Sequence, residues 1–143
     1  MPEDIKKLKI WTSCSTEDRF NELVENNILP IIIIGISKSS PLAKWRNTMI
    51  HYLNLGPNQD LWKKYVSGEI GRDEFKNEYL HDLWRRDDVF KTLRQFDILT
   101  HLSRATGLCI LSGLQEDDPT RETIAEYFNK LGILENVVEE WKP

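Results

Sequence analysis

The sequence predicts an α/β fold: a three-layer sandwich with a small, mostly parallel sheet and a helical insertion. Three observations carry that expectation. The apolar runs at residues 29–34 and 108–111 are continuous rather than alternating, as strands buried on both faces are. Amphipathic helical patterns separate the strand segments, and helical crossovers join parallel strands. The chain has 143 residues, 40% hydrophobic and 29% charged, which suits one folded domain spanning 1–143.

The elements follow in order. Residues 9–12, Lys-Ile-Trp-Thr, form a short β-prone segment. Phe20, Leu23 and Val24 then recur at i, i+3 and i+4, with Ser15 or Thr16 as N-cap. Residues 29–34 read LPIIII, a strand with a β-branched majority. Residues 41–106 read as a mostly helical insertion. Its first part, 41–60, is the least regular stretch, punctuated by Pro41, Gly56 and Pro57. Leu61, Trp62, Tyr65 and Val66 make an apolar stripe that stops at Ser67-Gly68. Asp73 is placed to cap the next helix, whose Phe75, Tyr79 and Leu83 are spaced by four. Val89, Leu93, Phe96, Leu99, Leu102 and Ala105 mark a long helix ending at Gly107.

A buried strand follows at 108–111, bounded by Gly107 and Gly113. The last helix has Asp118 at the N-cap, Pro119 in the first position, and Ile124, Phe128 and Leu131 inward, with Gly132 after its end. Residues 136–141 are short and charged, as a sheet edge is. The expected order is doubly wound and Rossmann-like, with the first strand central and parallel to 29–34 and 108–112. Ile32, Ile34, Cys109, Ile110, Phe128 and Leu131 are the expected core.

Composition excludes several classes. A net charge of −4 argues against a dedicated basic nucleic-acid binder, though a local basic groove remains open. The apolar stretch 28–36 is too short to span a bilayer. The opening MPEDIKKLKI lacks the apolar core of a signal peptide. Two cysteines, Cys14 and Cys109, and three scattered histidines give neither a disulfide framework nor metal-ligand spacing. The expectation is a cytoplasmic protein with reduced thiols, without metal, cofactor or membrane attachment.

A site is expected beyond the carboxyl ends of the strands, where open parallel sheets bind ligands. Three loops meet there: Ser13-Cys14-Ser15, residues 35–40 and residues 112–118. Small residues admit a close backbone approach, hydroxyls donate, and helix N-termini offer free amides to an anion. Ser13 and Ser37 are assigned hydrogen bonding, Lys38 and Arg46 anion binding, and Arg121 an anchoring role in the first turn of the last helix. Arg121 stands where the helix dipole disfavours a cation. Glu116 is the general-base candidate by position. Cys14, between a strand and a helix N-terminus, is the second catalytic candidate. The run Glu116-Asp117-Asp118 fits capping and dipole complementarity better than metal binding. His51, His81 and His101 fall on helical segments as surface or boundary residues. No G-x-G-x-x-G follows the first strand, and Lys38-Ser39 lacks the glycine spacing of a phosphate loop.

Residues 55–70, LGPNQDLWKKYVSGEI, with 73–80, DEFKNEYL, resemble a family catalogued as domain of unknown function 488. The family's first strand ends in a threonine-serine step, here at 9–13. Its apolar second strand is followed by a loop and a Trp-containing segment, here 29–45, and its last strand-loop-helix unit corresponds to 108–128. The resemblance spans nearly the whole chain and implies an α/β fold with a helical insertion. It implies no established activity. Many members carry a cysteine after the third strand and a Cys-His-Arg step opening the last helix. Here the positions read Ser112-Gly113 and Pro119-Thr120-Arg121, so Arg121 alone matches that step.

The function expected is binding, with or without chemistry, of a phosphate-bearing or nucleotide-like small molecule at the sheet's carboxyl edge. One alternative is a nucleic-acid-associated protein using Lys38, Lys44 and Arg46 with Trp45 as stacking platform. Another is a protein-interaction module docking through Trp62, Tyr65, Phe75, Tyr79 and Trp84.

Overall fold

The computed structural model describes residues 5–14, 16–34, 49–52, 55–86, 88–112 and 119–142, with Glu17 and His51 described by their backbone alone. Strands β1 (Ile10–Ser13), β2 (Ile28–Ile33), β3 (Met49–His51), β4 (Gly107–Leu111) and β5 (Glu139–Glu140) form one sheet in the order β3-β2-β4-β1-β5. Every pairing is parallel, with Ile10 opposite Leu108, Ile32 opposite Ile110 and Ile32 opposite Ile50. The three strands expected to be adjacent and parallel are so.

Two expectations about the sheet are corrected. The central strand is β4, not β1. All five residues of β4 are buried, whereas β1 has only the two-residue β5 beyond it. Gly107 permits the close fit at the start of β4, because a Cβ there would lie 2.7 Å from the Lys9 carbonyl oxygen and 2.7 Å from the Trp11 ring. The second correction falls within 41–106. Met49–His51 is an edge strand, so His51 lies on β3 and not on a helix. Three residues are too few to show a period of their own, and pairing to β2 sets their conformation.

Helices α1 (Glu17–Glu25), α2 (Gln59–Val66), α3 (Arg72–Arg85), α4 (Val89–Leu102) and α5 (Pro119–Leu131) cover the sheet. Phe20 and Leu23 of α1 pack on one face with Ile31, Ile33, Cys109 and Leu111. The other face, with Ile32, Leu108 and Ile110, carries Phe75, Tyr79 and Leu83 of α3, Leu93 and Phe96 of α4, and Ile124 and Phe128 of α5. The sheet is thus the middle of three layers.

Thr16 caps α1, its hydroxyl accepting from the Arg19 amide. Asn58 caps α2, which ends at Ser67 before Gly68 at φ 81°. Gly71, not Asp73, is the N-cap of α3. Asp73 and Glu74 instead sit in its first turn, where carboxylates complement the dipole. Helix α4 stops at Leu102 rather than running to Gly107, and Arg104 turns the chain at φ 53° into β4. Pro119 opens α5 and Gly132 follows it at φ 66°. The expected core is buried except Leu131, the last residue of α5, which is half-buried.

An ion cluster ties α3 to α5: Glu122 accepts from Arg72 at 2.7 Å and Lys76 at 3.1 Å. Burial works to raise the Glu122 pKa. The hydrogen bonds and charges of Arg72 and Lys76 outweigh it and hold the carboxyl below its ordinary value.

Two outcomes are expected. Phe128→Ala, which empties a site buried to 1% exposure, lowers unfolding free energy by about 3–5 kcal/mol in urea titrations. Glu122→Gln costs under ~1 kcal/mol near neutrality, because its side chain is half exposed. A depressed folded pKa stabilises above the unfolded carboxylate value, and that contribution disappears as pH falls through the folded pKa. The difference between Glu122→Gln and the wild type therefore shrinks to nothing on acidification.

Candidate functional site

The neighbouring strands β1 and β4 send their chains to opposite faces of the sheet, β1 into α1 and β4 into α5. In open α/β sheets, ligands bind beyond the carboxyl ends of two strands whose connections diverge in this way. Ser13 ends β1 and Ser112 follows β4. The Ser112 amide donates to the Ser13 carbonyl at 3.2 Å, continuing the ladder past the strands. Arg121, the third residue of α5, donates from Nη1 to the Ser112 carbonyl at 2.7 Å. Ser13, Ser112 and Arg121 are thus linked in one chain of contacts.

All three are buried: Ser13 at 0%, Ser112 at 4% and Arg121 at 3% exposure. Thr120 beside them is buried as well. The Ser13 hydroxyl oxygen is buried without a hydrogen-bond partner. A buried hydroxyl left unpaired costs about 1–3 kcal/mol. Arg121 has a different account. The dipole penalty for a cation in a first helical turn is about 0.3–1 kcal/mol. A charged donor on a carbonyl contributes about 1.5–3 kcal/mol. The bond to Ser112 exceeds that dipole penalty and gives Arg121 a structural role at the carboxyl edge of the sheet.

The other assigned residues divide. Cys14 is buried at 4% exposure and is a free thiol. The ring nitrogens of the other two histidines engage their own helices: His81 meets Arg85, and His101 meets Asp97. Ser37, Lys38, Arg46 and Glu116 lie outside the described residues, as do Lys44, Trp45 and Asp118. Among the described residues, no group of three or more His, Cys, Asp and Glu side chains is arranged to hold a metal. Within the same residues, no helix is long and apolar enough to cross a membrane.

Arg19 has no part in the sequence reading, yet it stands in the same place as Arg121, third in its helix. Its guanidinium lies 5.5 Å from the centre of the Trp141 ring and bonds Glu22 at 3.0 Å. Its Nε is buried without a partner. Shared position in the first turn was the available signal. Both arginines act on Cys109 in the middle of β4. Burial pushes that thiol well above the ordinary cysteine range, and the charges of Arg19 and Arg121 only partly oppose it.

The aromatic stripe considered for docking is largely interior. Phe75 and Tyr79 are fully buried, and Trp62 and Tyr65 pack against Phe75 at 5.8 Å and 4.8 Å between ring centres. Of the five, only Trp84 is substantially exposed.

Cys109 stays protonated and covered, so iodoacetamide at about pH 8 leaves it unlabelled in the native protein and modifies it on unfolding. Labelling of Cys109 as fast as a free peptide thiol would contradict its place in β4. The site stands on its own geometry, since no family model, no curated protein and no solved structure matches this chain.

Proposed function

We propose that the protein binds a phosphate-bearing or nucleotide-like small molecule in the crevice beyond β1 and β4. The observation that carries this reading is the Ser13 hydroxyl, fully buried and unpartnered at the divergence of two strands. The positive charge of Arg121 and the N-terminal end of α5 support an anionic group there. The resemblance to domain of unknown function 488 belongs to the same proposal. The residue that matches the family's helix-opening step is Arg121, which borders this crevice. A cytoplasmic location is proposed with it, on the two free cysteines. No reaction is assigned.

The test is calorimetry and thermal shift with inorganic pyrophosphate and a nucleoside monophosphate. A ligand at a hundredfold its Kd stabilises the native state by about 2.7 kcal/mol. Ser13→Ala is the clean variant: its melting temperature without ligand stays level or rises, because no protein hydrogen bond is lost, while the ligand-induced shift falls. Arg121→Ala lowers basal stability through Ser112 and also removes the shift. An absence of any shift in the wild type, or a full shift in both variants, overturns the proposal.

A further inference from the structure

A concavity lies on the face that carries α3, α4 and α5, apart from Ser13. It is a cleft of about 590 Å³ where the start of α2, the end of α3, the start of α4 and the middle of α5 come together. That volume suits a small organic molecule. Leu55, Pro57, Leu83 and Val89 give it apolar walls.

Tyr127 of α5 lines the cleft and is 3% exposed. Trp84 meets its ring edge-on at 5.5 Å, and Phe128 lies tilted against it at 5.5 Å. Its hydroxyl makes no hydrogen bond to any described residue. Tyr79 and Tyr52 differ, bonding the Leu55 carbonyl and the Thr92 hydroxyl respectively. Burial raises the Tyr127 pKa against the opposing charge of Arg86, so the phenol stays protonated and donates.

The charges around the phenol select the ligand. Arg86 is engaged by Asp82 at 2.6 Å and by the Gly56 carbonyl at 2.9 Å. Asp88, the N-cap residue of α4, does not cap its helix with its side chain and is exposed at the rim. One arginine against two aspartates leaves the lining net negative, which disfavours an anion. A phenol donor and the Asp88 carboxylate acceptor lining one cleft, over apolar walls, complement an uncharged ring that carries a carbonyl next to an N–H.

We propose that this cleft binds a small uncharged ring amide, either a lactam or a carboxamide, with Tyr127 donating to the carbonyl oxygen and Asp88 accepting from the amide N–H. The site is independent of the Ser13 crevice: Tyr127 lies six residues beyond Arg121, about 9 Å along the helix axis.

Saturation-transfer NMR on the full chain tests it, with benzamide and uracil as probes and benzoate as the charged control. The expected result is transfer to both amides, none to benzoate, and a shift of the Trp84 indole resonance. Tyr127→Phe should keep the wild-type melting temperature, since its hydroxyl has no protein partner, and should weaken amide binding by about tenfold. Asp88→Lys should weaken the amides and admit benzoate. The proposal is overturned if neither amide binds the wild type, if Tyr127→Phe binds them equally well, or if benzoate binds the wild type as tightly as benzamide. A lower melting temperature for Tyr127→Phe would show the hydroxyl to be structural, and would overturn it too.

Discussion

Burial of β4 on both faces and along both edges is the constraint on which the rest of this structure depends. Leu108 and Ile110 enter the core beneath α3, α4 and α5, and Cys109 and Leu111 enter the one beneath α1. Both long ladders of the sheet are made to this one strand. Its entry is set by Gly107, where backbone and the Trp11 ring leave no room for a side chain. At about 25 cal/mol per Å² of apolar surface, a strand with no exposed residue contributes more per residue than either sheet edge. The short β3 and β5 are held by strands that β4 has already positioned.

The same centrality places the candidate site. β4 leads to a helix of one layer and β1 to a helix of the other, the arrangement at which open sheets bind ligands. Polar residues that would be solvated on an ordinary loop are enclosed there: Ser13, Ser112, Thr120 and Arg121. Arg121 is reconciled with an unfavourable helix position by the Ser112 carbonyl, so it secures the start of α5 to the end of β4. Ser13 has no such compensation. The functional reading therefore rests on a serine rather than on the arginine that the sequence made more conspicuous.

Helix α5 joins the two sites. Its start holds Arg121 against the Ser112 carbonyl and its middle supplies Tyr127 to the helical cleft. Its bond to α3 is both aromatic and ionic, through Trp84 against Tyr127 and Glu122 against Arg72 and Lys76. The apolar contacts set the packing. The exposed ion pairs add a small, pH-dependent increment.

The sequence by itself determined the fold class and most elements, because those signals are local. Continuous β-branched runs announced β2 and β4, spacing by four announced Phe75, Tyr79 and Leu83, and Pro119 with Gly132 bracketed α5. It also placed Ser13 and Arg121 at one edge of the sheet, since parallel strands joined by helices bring their carboxyl ends to the same edge. Only the tertiary structure decided that β4 is central, because that depends on which backbone accepts the closest neighbours, and Gly107 states this only when Lys9 and Trp11 surround it. Only packing made Met49–His51 a strand, through a partner 18 residues earlier. Partnering was equally invisible in sequence: Ser13, Arg19 and Tyr127 look like ordinary polar residues until neighbours from distant segments bury them. Whether a buried polar atom finds a partner is settled by what the fold brings beside it, and there the tertiary structure left the Ser13 hydroxyl without one.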